Sequence, residues 1–246
     1  PTNDVVVLAT DSNDEGEATI SGSVTFTSAD WDTPQTITVT GVDDSIVDGD
    51  QISTITISVV ETISDDDFDS VADETVSATT TDDDVAGFTI VESDGSTEVD
   101  ESGSTDTFTV VLDAEPASDV LLIITSDDTG EATVNSPLTF TSTDWDTPQT
   151  VTVTGVDDDI IDGTITSTIT VAVDDANSDD DFDSIADQTV SATTTDDDVA
   201  GFTIVESDGS TEVAESGTTD TFTIVLDAQP TSDVVMSVSS SDTAET

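Results

Sequence analysis

Aspartates come in runs along this chain: Asp82-Asp83-Asp84, Asp157-Asp158-Asp159 with Asp162 close behind, Asp179-Asp180-Asp181, and Asp196-Asp197-Asp198. Glu98 to Glu101, Asp127-Asp128 and Asp174-Asp175 add shorter groups. Such runs are electrostatically costly. Two like charges about 5 Å apart repel by a little under 1 kcal/mol in water, and by several times that at lower effective dielectric. The chain supplies no counter-charge, holding 58 Asp and Glu against no Lys, Arg or His, a formal net charge of -58. Hard divalent cations are the remaining source of positive charge. Ca2+ takes about 6–8 oxygen ligands in flexible geometry, which suits these clusters better than Mg2+ with its tightly held water.

The same composition excludes much other chemistry. With no Cys there are no disulfides, thiolate nucleophiles or zinc–thiolate sites. With no His or Lys, a Ser or Thr nucleophile lacks its usual activating partner, and no amine can form a Schiff base or an isopeptide crosslink. With no cationic side chain, phosphate clamping and nucleic-acid binding are excluded as partners. No apolar run approaches the ~20 residues of a membrane-spanning helix, and no signal peptide is visible. A glycosidase-type carboxylate pair is chemically conceivable in so acidic a chain, yet nothing marks one pair out. The expectation is a chain that is not an enzyme.

The residues between the acids must position them, and they read as strands. Thr150-Val151-Thr152-Val153-Thr154 alternates with period 2, valines to one face and threonines to the other. Thr107 to Leu112, Thr164 to Val173 and Thr189 to Thr195 alternate in the same way. Their Thr, Val and Ile are β-branched and fit a pleated, half-buried surface. Clusters of Asp, Gly, Ser, Asn and Pro separate them as turns. High net charge with modest apolar content would ordinarily give disorder. The strict alternation and the recurring large residues Phe88, Phe108, Leu112, Phe140 and Trp145 predict instead an all-β fold of antiparallel sandwiches of immunoglobulin-like size, with seven or eight strands each.

The chain repeats itself. Trp31 recurs as Trp145, Asp82 as Asp196 and Phe88 as Phe202, each 114 positions on. TTTDDDVAGFTIVESDGSTEV runs from Thr79 and again from Thr193. This predicts a unit lacking its first strands over 1–86, a complete unit over 87–200, and the N-terminal part of a third over 201–246. The simplest reading is a window from a longer array. The rival is a subunit whose C-terminal strands complete the truncated start of the next copy.

The unit resembles the Calx-beta domain, which occurs in sodium–calcium exchangers and integrin β4 and is repeated in large bacterial surface and adhesin proteins. The resemblance rests on V-x-E-S-G at Val99 to Gly103, S-D-D-x-G-E-A-T from Ser126, T-V-T-G-V-D-D-D-I-I-D from Thr152, and T-D-D-D at Thr195 to Asp198. Phe140 followed by Trp145-x-x-Pro148-Gln149 is similar to its bacterial version. The family implies immunoglobulin-like sandwiches in tandem, with acids from four places converging at one end to bind Ca2+. Carried over by position, these are Glu101; Asp127 or Asp128; Asp157, Asp158 and Asp162; and Asp196, Asp197 and Asp198. Their counterparts in the first repeat are Asp14, Asp43, Asp44, Asp48, Asp82, Asp83 and Asp84, and in the third Glu215 and Asp242. Asp48 and Asp162 stand where the family has Glu, and Gln51 and Ile165 replace a second Glu. Nine candidate carboxylates in the middle repeat would hold roughly two to four Ca2+ if ligands are shared.

Other acids read differently. Asp65-Asp66-Asp67 and Asp179-Asp180-Asp181 match no family position and are expected to be solvated loops. Glu92 and Glu206 read as strand-end acids. Trp31 and Trp145 are expected to plug a turn against the sandwich, ahead of any sugar-stacking role. Only Val-Ala-Gly separates one triple Asp from the next unit, too short for a floppy tether. The resulting expectation is a calcium-stiffened extracellular or cell-surface rod, an adhesin extender or matrix filament. Its partners would be neighbouring repeats, with lateral or head-to-tail self-association. The alternative is a calcium-sensing or carbohydrate-binding module.

Overall fold

The computed structural model describes residues 3–241, with the backbone alone at 8–11. Asp242 lies outside the described residues. Seventeen strands run in chain order: β1 (Val5–Ser12), β2 (Ala18–Ile20), β3 (Val24–Phe26), β4 (Val39–Gly41), β5 (Gln51–Val59), β6 (Glu74–Thr80), β7 (Phe88–Glu92), β8 (Thr97–Asp100), β9 (Thr105–Leu112), β10 (Val120–Ser126), β11 (Ala132–Val134), β12 (Leu138–Phe140), β13 (Gln149–Gly155), β14 (Ile165–Val173), β15 (Gln188–Thr195), β16 (Phe202–Glu206) and β17 (Phe222–Leu226). Two short 3-10 turns, Asp66–Phe68 and Asp180–Phe182, are the described helical elements.

The middle repeat is a sandwich of two sheets, in the orders β12-β10-β14-β15-β8 and β11-β13-β9-β7. All neighbours are antiparallel except β8, which runs parallel to β15 with Thr97 opposite Ala192 and Asp100 opposite Thr195. The alternating strands set the core. Phe108 and Val110 of β9, Leu122 of β10, Phe140 of β12, Val151 and Val153 of β13, and Ile169 and Val171 of β14 are all fully buried. Their threonine neighbours point outward, so period 2 places one face of each sheet inside. Nine strands form where seven or eight were expected, because several are only three or four residues long.

The first repeat folds the same way but with fewer strands. Its sheets are β3-β1-β5-β6 and a two-stranded β2-β4. At the 114-residue spacing these correspond to β12-β10-β14-β15 and β11-β13. Among its described residues there is no counterpart of β7, β8 or β9. The third repeat contains the hairpin β16-β17, matching β7 and β9.

Successive repeats touch through the acidic loops. Ile46 bridges in parallel to Glu115, and Ile160 to Gln229. Val47 donates its N–H to Glu115 O at 3.1 Å, Glu115 to Ser45 O at 2.7 Å, and Gln229 to Asp159 O at 2.6 Å. Each Asp-rich loop thus pairs with the following repeat just after its β9 or β17 strand.

Trp145 is partly buried and packs on the core, as a plug should. Trp31 does not: it is exposed, and the described residues of its repeat include no equivalent of β9, whose Leu112 in the middle repeat donates to Trp145 O. The solvated-loop expectation fails for Asp65 and Asp179. Both are buried and act as N-caps of the 3-10 turns. Asp179 accepts from Ser118 N at 2.6 Å and Asp181 N at 3.1 Å, which ties a loop to the sheet. The remaining acids of both runs are exposed as expected.

Gly155 closes β13 where β8 crosses it. A Cβ there would lie 2.0 Å from Asp100 O, whereas a Cβ on its counterpart Gly41 would meet only Thr80 Cγ2 at 3.6 Å. We expect Gly155→Ala to destabilise the middle repeat by about 1–3 kcal/mol, as overpacked cores do, and Gly41→Ala to be nearly neutral in a dilute chain. Urea unfolding of the two variants measures the difference.

Candidate metal centre

Four segments meet at one end of the middle sandwich. Glu101 follows β8 and is held there because its N–H donates to Thr195 O at 3.1 Å. Ser104 Oγ accepts the Asp100 N–H at 2.8 Å and tightens the turn behind it. Glu131 precedes β11. Its carbonyl accepts from Val156 N at 2.9 Å and from Thr194 Oγ1 at 3.3 Å, locking it between the β13 end and β15. Asp158 and Asp162 lie in the β13–β14 loop, and Asp196 to Asp198 follow β15.

Their carboxylates form two overlapping triads, Glu101–Asp158–Asp198 and Glu101–Glu131–Asp162. In each, one oxygen per residue lies within 4.8 Å of the others. Glu101 is 1% exposed and Glu131 is buried. Glu101 Oε2, Glu131 Oε2 and Asp198 Oδ2 are enclosed and accept no hydrogen bond. A buried acceptor without a donor costs far more than one left in water, and here all three belong to residues of the two triads that share Glu101. Oxygen donors of this kind, several to a site and without nitrogen or sulfur, fit a hard cation such as Ca2+. The orphaned oxygens are what a bound ion would satisfy.

The protonation equilibria carry the same strain. Burial first, then the charges of Asp196 and Asp158, push the Glu101 carboxyl up to about 7, against the pull of the Asp197 N–H. Burial raises Glu131 too, followed by Asp162, Asp128, Asp158 and Asp196. Asp198 is raised by partial burial and then by Asp159, Asp196, Asp197 and Asp158. Asp196 is lowered instead, because Gly163 N and Asp198 N both donate to it at 2.8 Å. It organises the loop while its neighbours face the site.

The sequence-derived set is thus divided. The structure brings Glu101, Asp158, Asp162 and Asp198 into the triads, with Asp196 bracing them. Asp157 and Asp197 are exposed at the rim and belong to neither triad. Asp127 and Asp128 are spent on the turn. Asp127 Oδ1 accepts from Thr168 N at 2.7 Å, and Asp128 Oδ1 from Gly130 N at 3.0 Å. The acid that this turn sends into the site is Glu131. It sits inside the S-D-D-x-G-E-A-T motif, directly before the alternation of Ala132 to Val134 begins, and that placement was the available signal.

In the first repeat the counterparts surround an open cavity of about 520 Å3, lined by Glu17, Asp43, Asp44, Asp48 and Asp82 to Asp84. Asp82 braces the loop as Asp196 does, accepting from Gly49 N and Asp84 N at 2.8 Å. Glu17 takes the place of Glu131, raised by burial and then by Asp48, Asp44, Asp14 and Asp82. Asp14 is exposed and accepts from Gly16 N at 3.1 Å, a turn role like that of Asp128. Among the described residues this repeat has no counterpart of Glu101. Glu215, the equivalent acid of the third repeat, is exposed.

No protein-family model matches the chain, and no curated protein does. Solved structures do show similarity. Domains 4 and 5 of the S-layer protein SbsC are 20% identical over 65% of this chain and 62% of theirs, with a TM-score of 0.36. The calcium binding domain CBD12 of CALX1.1 is 14% identical over 69% and 66%, with a TM-score of 0.29. CBD12 from CALX1.2 is 11% identical over 78% and 88%, again with a TM-score of 0.29. This chain spans less than two thirds of the SbsC fragment. Likeness at this level carries no argument about ligand or activity, and the reading that follows stands on the carboxylate geometry.

Two outcomes follow for metal-free protein. An acid whose pKa is raised on folding destabilises the fold as pH climbs from its unfolded value through its folded one. In EDTA the melting temperature should therefore rise as pH falls from 8 to 5, changing little above about 7 and more steeply below it. Glu101→Gln should raise the metal-free melting temperature at pH 8 and flatten that slope. Scanning calorimetry across pH reads both.

Proposed function

We propose that the chain is a structural, extracellular β-sandwich rod whose joints are stiffened by Ca2+. Its repeats span 1–86, 87–200 and 201–246. The observation that carries this reading is the pair of carboxylate triads sharing buried Glu101, with an enclosed, unpartnered oxygen on each of Glu101, Glu131 and Asp198. In the middle repeat Glu101, Glu131, Asp158, Asp162 and Asp198 would hold the ion, with Asp157 and Asp197 available at the rim. A bound cation supplies the positive charge that the sequence lacks.

The same loops support the mechanical part of the reading. Asp158 Oδ1 accepts from Ile160 N at 2.6 Å, and Ile160 is the residue that bridges to Gln229 of the next repeat. Asp44 does the same for Ile46, which bridges to Glu115. Each joint is therefore built on the backbone of an acidic loop. The linker glycines are packed too. A Cβ on Gly87 would lie 2.5 Å from an Asp113 oxygen, and the Asp113 N–H donates to Gly87 O at 2.9 Å. Neutralising the loop acids holds the loop in place and, through it, the next sandwich. Removing the ion lets like charges push the same loop apart. The role is one of spacing and shape, as an adhesin extender or a surface or matrix filament. No helix of the described residues is long and apolar enough to cross a membrane.

The test is a calcium titration of the chelator-stripped chain at about 0.15 M salt. Saturating Ca2+ should raise the melting temperature by 10 °C or more and lengthen and narrow the particle in small-angle scattering, with Mg2+ at the same concentration doing much less. Glu101→Gln and Glu131→Gln should each weaken Ca2+ binding at least tenfold by calorimetry. An unchanged melting temperature and scattering profile after Ca2+ addition would refute the reading.

A further inference from the structure

Each joint between repeats rests on very little backbone pairing. At the first joint, among the described residues, Val47 N donates to Glu115 O at 3.1 Å and Glu115 N to Ser45 O at 2.7 Å. At the second, Gln229 N donates to Asp159 O at 2.6 Å. The pairing cannot extend past these residues. Pro116 follows Glu115 and Pro230 follows Gln229, and a proline has no N–H to donate to a ladder. It also holds the residue before it extended, which suits Glu115 and Gln229 to a single parallel bridge. Val47, two residues beyond Ser45, packs against the core of the middle repeat. With so short a ladder, the side chains of the hydrogen-bonded residues weigh heavily on whether the joint stays closed.

Those residues differ between the two joints in a compensating way. Residues 88–120 and 202–234 differ at five positions, one of them Glu115 against Gln229. Residues 39–50 and 153–164 differ at three, one of them Ser45 against Asp159. Where the loop carries a hydroxyl, the following repeat brings a carboxylate. Where the loop carries a carboxylate, the following repeat brings a neutral amide. Each joint therefore holds one carboxylate on this pair and not two. Like charges on paired neighbours repel, and the chain has no cationic side chain to relieve them. The second joint is already the more crowded. After burial, Asp159 is the first of the charges that raise Asp198, whereas those acting on the counterpart Asp84 come from Asp82, Asp83, Asp43 and Asp44.

We propose that the joint is a recognition surface for the following repeat, and that the pairs Ser45–Glu115 and Asp159–Gln229 determine which repeat fits. A loop bearing Asp accepts a repeat bearing Gln and rejects one bearing Glu. A loop bearing Ser accepts either. Among repeats this similar the attractive contacts are shared, so discrimination needs a repulsive element. One order of repeats, an Asp-bearing loop ahead of a Glu-bearing repeat, opens the joint. The proposal rests on the rod reading for the joint being a closed contact, and it does not require the ion.

The test is amide hydrogen exchange of the full chain, followed by NMR and normalised to an unstructured peptide, in EDTA at about 0.15 M salt and again in Ca2+. The amides of residues 115 and 229 are the donors across the joints, so their protection reports closure. In EDTA, Gln229→Glu should cut protection of amide 229 by about three- to tenfold and leave amide 115 as it was. Adding Asp159→Ser should restore it, because the pair then matches Ser45–Glu115, and Asp159→Ser alone should change little. Ser45→Asp should lower protection of amide 115 by a similar factor, with rescue by Glu115→Gln. Protection that ignores Gln229→Glu, or that falls and is not recovered with Asp159→Ser, overturns the proposal while the rod reading stands. Unprotected 115 and 229 amides in the unmodified chain overturn both. Rescue in EDTA with no gain of protection in Ca2+ upholds the pairs and counts against the ion alone.

Discussion

Unbalanced negative charge governs this molecule. The middle sandwich gathers carboxylates at one end, encloses some of them, and has no ammonium, guanidinium or imidazolium to set against them. A protein can meet that constraint by protonation, by solvation or by a bound cation. Protonation is available to Glu101, whose carboxyl is pushed up to about 7, but near neutral pH it removes only part of that one residue's charge. Solvation serves Asp157 and Asp197, which lie at the rim. It cannot serve the enclosed oxygens of Glu101, Glu131 and Asp198. A bound cation, as proposed, would satisfy them.

The strands exist to make that gathering possible. Valine–threonine alternation produces two sheets whose inner faces are apolar without needing many large residues, and the strand ends deliver loops to a common edge. Gly155 is the clearest case of sequence serving geometry. Only a residue without a Cβ lets the Asp100 backbone approach β13, and that approach sets Glu101 beside the β13–β14 loop. The site is thus a consequence of how two sheets close, and β8 supplies both a packing strand and, directly after it, the buried carboxylate of Glu101.

Much of this was legible in the sequence, and the exceptions share a cause. Period 2 located β9, β13, β14 and β15, and the 114-residue repeat located each acid run. Glu101, Asp158, Asp162 and Asp198, expected from the family resemblance, do lie together in the triads. Glu131 was not expected, because a sequence motif shows which acids are near a turn but not which of them the turn consumes. Asp128 bends back to cap Gly130, and the chain then carries Glu131 inward. Asp179 was misjudged for the same reason: a lone aspartate in a polar run can be the one that caps a 3-10 turn and becomes buried. Side-chain hydrogen bonds to nearby N–H groups decide these cases, and they depend on backbone conformation rather than on composition.

Trp31 and Trp145 extend the argument from sites to assembly. Their local sequences are nearly the same, F-T-S-A-D-W-D-T-P-Q against F-T-S-T-D-W-D-T-P-Q, so local propensity cannot explain why one is exposed and the other packed. The difference lies in strands far away in sequence, since only the middle repeat has β7, β8 and β9 to lay against its turn. Near-identical repeats placed in different surroundings act as an internal control, separating what a residue does by itself from what its neighbours do to it. By that control the exposure of Trp31 reflects its surroundings and not its local sequence, which packs on the core when it recurs at Trp145.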